Sequence, residues 1–229
     1  MKTIGLIGGM SWESTVEYYR IINKEVKARL GGLHSAKCVI YSLDFDEIEC
    51  YQKTNDWEKA AEKLTDAAAS LERAGADFLV LCTNTMHKVA EKVLAGVGIP
   101  LLHIADATAE EILAKKLRTV GLLGTKYTME QEFYKSRLED KGIQPIVPGA
   151  SARTIIHQVI YKELCLGRIV EESRDQFKRI MDDLVKRGAE GIILGCTEIG
   201  LLIKQEDSRV PVFDTTSIHA IKAVEYSLK

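Results

Sequence analysis

Arg73-Ala74-Gly75-Ala76-Asp77-Phe78-Leu79-Val80-Leu81-Cys82-Thr83-Asn84-Thr85 lies without a gap over Lys186-Arg187-Gly188-Ala189-Glu190-Gly191-Ile192-Ile193-Leu194-Gly195-Cys196-Thr197-Glu198. Each copy reads as the end of a helix, a glycine that closes it, a short apolar strand and a polar turn. Upstream, Thr3-Ile4-Gly5-Leu6-Ile7-Gly8-Gly9 matches Thr119-Val120-Gly121-Leu122-Leu123-Gly124-Thr125. Downstream, Ile99-Pro100-Leu101-Leu102-His103 matches Val210-Pro211-Val212-Phe213-Asp214. Three matches in the same order and at nearly constant spacing predict two pseudo-symmetric α/β halves, one of residues 1–103 with 215–229 and one of 104–214.

The rest of the chain agrees. Apolar, β-branched runs at 3–7, 38–43, 78–81, 119–123 and 192–194 alternate with long amphipathic segments, the pattern of parallel sheets flanked by helices. Trp57, Ala60, Ala61, Leu64, Ala68 and Leu71 keep helical spacing behind a cap at Asn55 and ahead of Gly75; Phe177, Ile180, Met181 and Leu184 do the same ahead of Gly188. Gln52 falls in the loop before the Asn55 helix.

Composition narrows the function. A net charge of -2 over 229 residues leaves no basic field to attract nucleic acid or an anionic membrane. The apolar run at the start is too short for a signal peptide and no stretch is long enough to span a bilayer, so a cytoplasmic protein is expected. The cysteines Cys38, Cys50, Cys82, Cys165 and Cys196 are odd in number and lack a C-x-x-C pair, which points to free thiols. The histidines His34, His87, His103, His157 and His219 lack metal spacing, and Gly5-Leu6-Ile7-Gly8-Gly9 is neither a dinucleotide nor a P-loop fingerprint. No metal or cofactor is expected.

In open parallel sheets, ligands bind beyond the carboxyl ends of the strands. The repeated strands end at Thr83-Asn84-Thr85 and at Cys196-Thr197-Glu198, so two facing halves would bring them together across a cleft. The N–H groups of the helices that follow would favour a small anion there.

The Gly-rich first strand end, the Asn84-Thr85 turn and Gly195-Cys196-Thr197-Glu198 together resemble the aspartate/glutamate racemase family over the whole chain. The resemblance implies two flavodoxin-like domains with the site in the cleft between them, a homodimer, and cofactor-independent racemisation of an amino acid, aspartate or glutamate, with preference for the L-enantiomer. Related enzymes of the superfamily (hydantoin racemase, maleate isomerase, decarboxylase) and a non-catalytic amino-acid binding protein are the alternative readings. One departure stands out: the family's Cys-Asn-Thr is here Thr83-Asn84-Thr85, with Cys82 one position early. Neighbouring strand residues point to opposite faces, so Cys82 does not simply replace the missing base, although a twist at the strand end would bring it in.

Racemisation takes a proton from one face of Cα and returns one to the other. The resemblance implies that Cys196 works on the L face and Thr83 on the D side. A thiolate at a helix N-terminus suits abstraction, with its pKa lowered there, whereas a hydroxyl can hand over a proton or orient a water. Asn84, Thr85 and Thr197 are the candidate donors to the substrate carboxylate, and Thr125 adds a hydroxyl. Glu198 is either the partner of the amine or a helix N-cap. Met10 and Ser11 are expected to shape the cleft wall, the resemblance implies that Gln52 contacts the carboxylate, with a solvated loop residue as the alternative, and His87 is a candidate helper. Cys165 stands where some family members carry a basic substrate-binding residue.

Overall fold

The computed structural model describes residues 1–229 as two compact units, Met1–His103 with His219–Lys229, and Ile104–Ile218. No helix is long and apolar enough to cross a membrane.

The first unit contains β1 (Ile4–Gly8), α1 (Trp12–Leu30), β2 (Cys38–Ser42), α2 (Phe45–Lys53), α3 (Trp57–Arg73), β3 (Phe78–Leu81), α4 (Ala90–Ala95) and β4 (Leu101–Leu102). Its four strands are parallel in the order β2-β1-β3-β4. Every residue of β1 and β3 is buried, as strands covered on both faces must be, while edge strand β2 is half exposed. Ile4, Leu6, Phe78, Val80 and Cys82 pack with Tyr18, Ile22 and Val26 of α1 into one cluster.

The second unit contains α5 (Ile104–Ala114), β5 (Thr119–Gly124), α6 (Lys126–Glu130), α7 (Glu132–Glu139), β6 (Gln144–Ile146), α8 (Ala150–Lys162), α9 (Glu171–Lys186), β7 (Gly191–Gly195), α10 (Ile199–Leu202) and β8 (Val212–Asp214). Its sheet repeats the first topology in the order β6-β5-β7-β8, again parallel. Helix α11 (Thr215–Ser227) then carries the chain back to the first unit.

Strand pairing reproduces the sequence repeat residue by residue. Ile4 pairs with Phe78 in the first sheet and Val120 with Gly191 in the second, and these are the residues the two alignments superpose. Thr83 and Cys196 therefore hold equivalent places, and Cys82 corresponds to Gly195.

Helix ends follow local chemistry with one correction. Asn55 does not cap α3; it adopts a left-handed φ of 59°, and Asp56 is the cap, its Oδ1 accepting from Lys59 N at 3.2 Å. The inward stripe is as expected, with Trp57, Ala60, Ala61, Leu64, Ala68 and Leu71 buried. Gly75 (φ 88°) and Gly188 (φ 100°) supply the left-handed residues after α3 and α9. Gln52 is not in a loop: it belongs to α2 and is buried.

Candidate active site

In each sheet the chain leaves the two central strands in opposite directions, so a topological switch point lies between β1 and β3 and between β5 and β7. Beyond those four carboxyl ends lie Gly9, Met10 and Ser11, then Cys82 to Thr85, then Thr125, then Cys196 to Glu198.

In the first unit, Gly9, Met10 and Ser11 follow β1, and Cys82, Thr83, Asn84 and Thr85 follow β3. Gly9 has a φ of 89°, and a Cβ there would sit 2.1 Å from the Leu43 carbonyl oxygen, so only glycine lets the loop pass so close to the chain after β2. Its N–H donates to Thr15 Oγ1 at 2.9 Å, and Thr15 Oγ1 donates in turn to the Ser11 carbonyl at 2.9 Å. Thr15 thus shapes the Met10–Ser11 segment through a helix residue that hydrogen-bonds four positions back, a role a solitary threonine does not announce in sequence. Met10, Ser11, Thr83, Asn84 and Thr85 are all buried. Gln52 reaches the same region from α2, its Nε2 lying 3.1 Å from Met86 Sδ, which replaces the solvated-loop reading with a buried amide beside the Asn84-Thr85 turn.

Cys82 and Thr83 differ sharply. Cys82 has no exposed surface, belongs to the core cluster of Ile4, Leu6 and Val80, and burial pushes its thiol far above the ordinary range. Thr83 is 7% exposed, like Cys196, its equivalent in the repeat.

In the second unit, Thr125 follows β5 and Cys196-Thr197-Glu198 follow β7. The Thr125 hydroxyl accepts from Thr128 N at 3.3 Å and lies 3.2 Å from Thr128 Oγ1, so it caps α6. The Cys196 thiol donates to Glu198 Oε2 at 2.9 Å, and the Thr197 hydroxyl donates to the same oxygen at 3.0 Å. Thr216, at the start of α11, donates to the Thr197 carbonyl at 3.3 Å, and Thr215 to the Leu194 carbonyl at 2.7 Å, fixing the turn from below.

This geometry corrects two expectations. Glu198 stands at the N-cap position of α10 without a side-chain capping bond, because its carboxylate is turned onto the thiol instead. The Cys196 thiol is the donor of its hydrogen bond to Glu198, and its surroundings oppose the pKa lowering expected at a helix N-terminus. Burial first, and then the negative charge of Glu198, raise its pKa well above the usual value. The four-residue α10 cannot offset them, since the field of a helix terminus grows from aligned peptide dipoles.

Cys196 therefore presents its thiol to the Glu198 carboxyl group at hydrogen-bond distance, the arrangement of a nucleophile or base activated by its neighbour. Cys165, half-buried in the turn after α8, packs against the core cluster that contains Cys196. No group of three or more His, Cys, Asp or Glu side chains is disposed to hold a metal ion.

Comparison with known proteins identifies the family. The chain is 24% identical over 229 residues to the broad specificity amino-acid racemase RacX of Bacillus subtilis (strain 168), with 96% of each sequence covered. Among solved structures it matches a Yersinia pestis protein described as an Asp/Glu racemase with a TM-score of 0.92 and 57% identity, covering 100% of both chains. It matches an aspartate racemase homologue from Pyrococcus horikoshii OT3 with a TM-score of 0.84 and 39% identity, again covering 100% of both. The sequence model of the Asp/Glu/Hydantoin racemase family spans residues 7–223. With nearly the whole chain inside that match, the protein belongs to the Asp/Glu/Hydantoin racemase family of isomerases.

Proposed function

We propose that the protein is a pyridoxal-phosphate-independent amino-acid racemase, acting on aspartate or glutamate, with Cys196 serving the L face of Cα and Thr83 the D face. The observation that carries the reading is the Cys196–Glu198 hydrogen bond beyond β7. A thiol held protonated cannot abstract a proton, so Glu198 first accepts the thiol proton and the resulting thiolate takes the α-hydrogen of the L-amino acid. The carbanion is stabilised by donors from Asn84, Thr85 and Thr197 to the substrate carboxylate, with Gln52 beside the Asn84-Thr85 turn. Met10 and Ser11 shape the wall, and Thr125 contributes through the helix start it caps.

On the other face the Thr83 hydroxyl, or a water it orients, gives a proton to Cα. Solvent then restores that proton to the Thr83 side and removes one from the Cys196–Glu198 pair, so protons balance over the cycle. Every bond made and broken is to hydrogen, so the proposed route uses side-chain acids and bases alone, without a cofactor. A small amino acid as the partner, a cytoplasmic location and a homodimer are part of the same proposal; sedimentation equilibrium reads the last directly.

The test is a panel of amino acids incubated with enzyme in D2O and read by chiral chromatography and mass spectrometry. Inversion and α-deuteration of aspartate or glutamate support the reading. Tight binding with no α-exchange on any amino acid contradicts it and favours a binding protein.

A further inference from the structure

The turn after β3 is closed by a side chain where a regular helix would use its backbone. His87 N–H donates to the Asn84 carbonyl at 3.1 Å, three residues back. In an α-helical turn that N–H would reach the carbonyl of Thr83. Here the His87 ring takes it instead, with Nδ1 2.7 Å from the Thr83 oxygen. Both residues are buried, where a carbonyl left without a donor is costly. A carbonyl can only accept, so Nδ1 carries the proton.

The ring is clamped in turn. His103, the residue after β4, meets it edge-to-face at 4.4 Å between centroids, and His219 of α11 lies at 5.9 Å. His219 is itself fixed at both nitrogens: Nε2–H donates to the Leu102 carbonyl at 2.8 Å, and Nδ1 accepts from the fully buried Tyr18 hydroxyl at 2.9 Å. Three histidines and a tyrosine thus tie α1, α11 and the ends of β3 and β4 into one polar knot beneath Thr83, all within the first unit.

We propose that His87 is a positioning residue for the D-face step: by holding the Thr83 carbonyl it fixes where the Thr83 hydroxyl stands, without itself touching the substrate. This rests on the reading of Thr83 as the D-face group. The consequence is selective. L-side deprotonation belongs to Cys196 and Glu198 in the other unit, so loosening Thr83 slows inversion and spares exchange.

The experiment compares His87→Asn, whose Nδ2 replaces Nδ1 as donor, with His87→Gln and His87→Leu, which place the donor one atom too far or remove it. For each, the kcat of L-to-D inversion and the rate of α-deuterium exchange into L-substrate in D2O are measured. Inversion is expected to fall about 10-fold or more in His87→Gln and His87→Leu while exchange changes less than about twofold, and His87→Asn is expected to recover most of the loss. Inversion and exchange falling in parallel, no fall at all, or an Asn variant no better than the Leu variant would each overturn the proposal. If His87→Leu does not fold, the Asn and Gln pair decides.

Failure of the racemase reading shows separately, as a wild type inert toward every amino acid. The amide hydrogen exchange of Asn84, Thr85 and His87 then decides. It is expected to accelerate about 10-fold or more in His87→Gln relative to Val80 and Leu81 of β3, and unchanged protection refutes the positioning role.

Discussion

Replacing Glu198 by Gln separates two accounts of Cys196 that predict opposite results. Glu198 Oε2 is 2.9 Å from the thiol sulfur and 3.0 Å from the Thr197 hydroxyl, inside the range over which a proton can pass along an existing hydrogen bond. Gln keeps the shape and an accepting oxygen, so the turn should persist, but an amide oxygen cannot hold the thiol proton. If Glu198 is the acceptor, the variant loses a general base, which is worth about 100- to 10,000-fold in rate, or about 3–5 kcal/mol of barrier.

The carboxylate also raises the thiol pKa, so its removal lets the thiol ionise more readily. A Cys196 that worked as an independent thiolate would then become more active at neutral pH. The assay is kcat and KM for racemisation, together with the pH dependence of Cys196 alkylation by iodoacetamide. The expected outcome is a fall in kcat of at least about 100-fold with KM little changed, while alkylation becomes faster at a given pH. Activity that is retained or raised along with thiol reactivity would refute the relay and leave Glu198 a purely electrostatic neighbour.

Other outcomes follow from the same structure. Cys196→Ser should abolish inversion and L-exchange while circular dichroism stays native; normal turnover would remove Cys196 from the mechanism. Cys82→Ala should cost about 1–2 kcal/mol of stability through a small core void and leave racemisation within about twofold; a folded Cys82→Ala variant that no longer exchanges the D-enantiomer would make Cys82 the second base. His219 is held neutral by burial, its pKa lowered from 6.5 to about 4. The unfolded chain therefore takes up that proton first as pH falls, and stability present above pH 6.5 declines down to about pH 4 by roughly 3 kcal/mol. Urea unfolding across this range should show less decline in His219→Gln than in wild type, and equal slopes would exclude His219 as the source. Gly9→Ala should cost at least about 2 kcal/mol, from its left-handed φ and the collision with the Leu43 carbonyl; native urea stability would contradict that.

The repeat made the architecture legible because strand, glycine and polar turn recur with one spacing, and paired residues in both sheets keep it. Strands β4 and β8 show in the sequence only as the matched segments 99–103 and 210–214, because at two or three residues they are too short to have a period, and β6 leaves no signal at all, being three residues with Pro145 in the middle. At the site, the equivalence of Thr83 with Cys196 was readable from alignment alone. The protonation state of Cys196 was not, since Cys and Glu two positions apart say nothing of where the carboxylate turns. A helix terminus lowers a thiol pKa only where the helix is long enough to have a field, and α10 is one turn. Gln52 is hard to place from sequence because the break between α2 and α3 is only residues 54–56 long, too short to separate the end of one helix from the start of the next. The histidine knot joins residues from four parts of the chain and has no local signature.

In the proposed mechanism Cys196 opens the reaction on the L face while inversion waits for a proton from the Thr83 side. It is tested by incubating the enzyme separately with each enantiomer in D2O and following α-deuterium and configuration together at early times. The equilibrium between enantiomers is unity, so kcat/KM must match in the two directions, and the asymmetry can appear only in exchange with retention or in kcat and KM separately. The L-enantiomer is expected to gain deuterium faster than it inverts, and Thr83→Cys is expected to raise the ratio of inversion to exchange. Equal exchange into both enantiomers, with no effect of Thr83→Cys on that ratio, would contradict it.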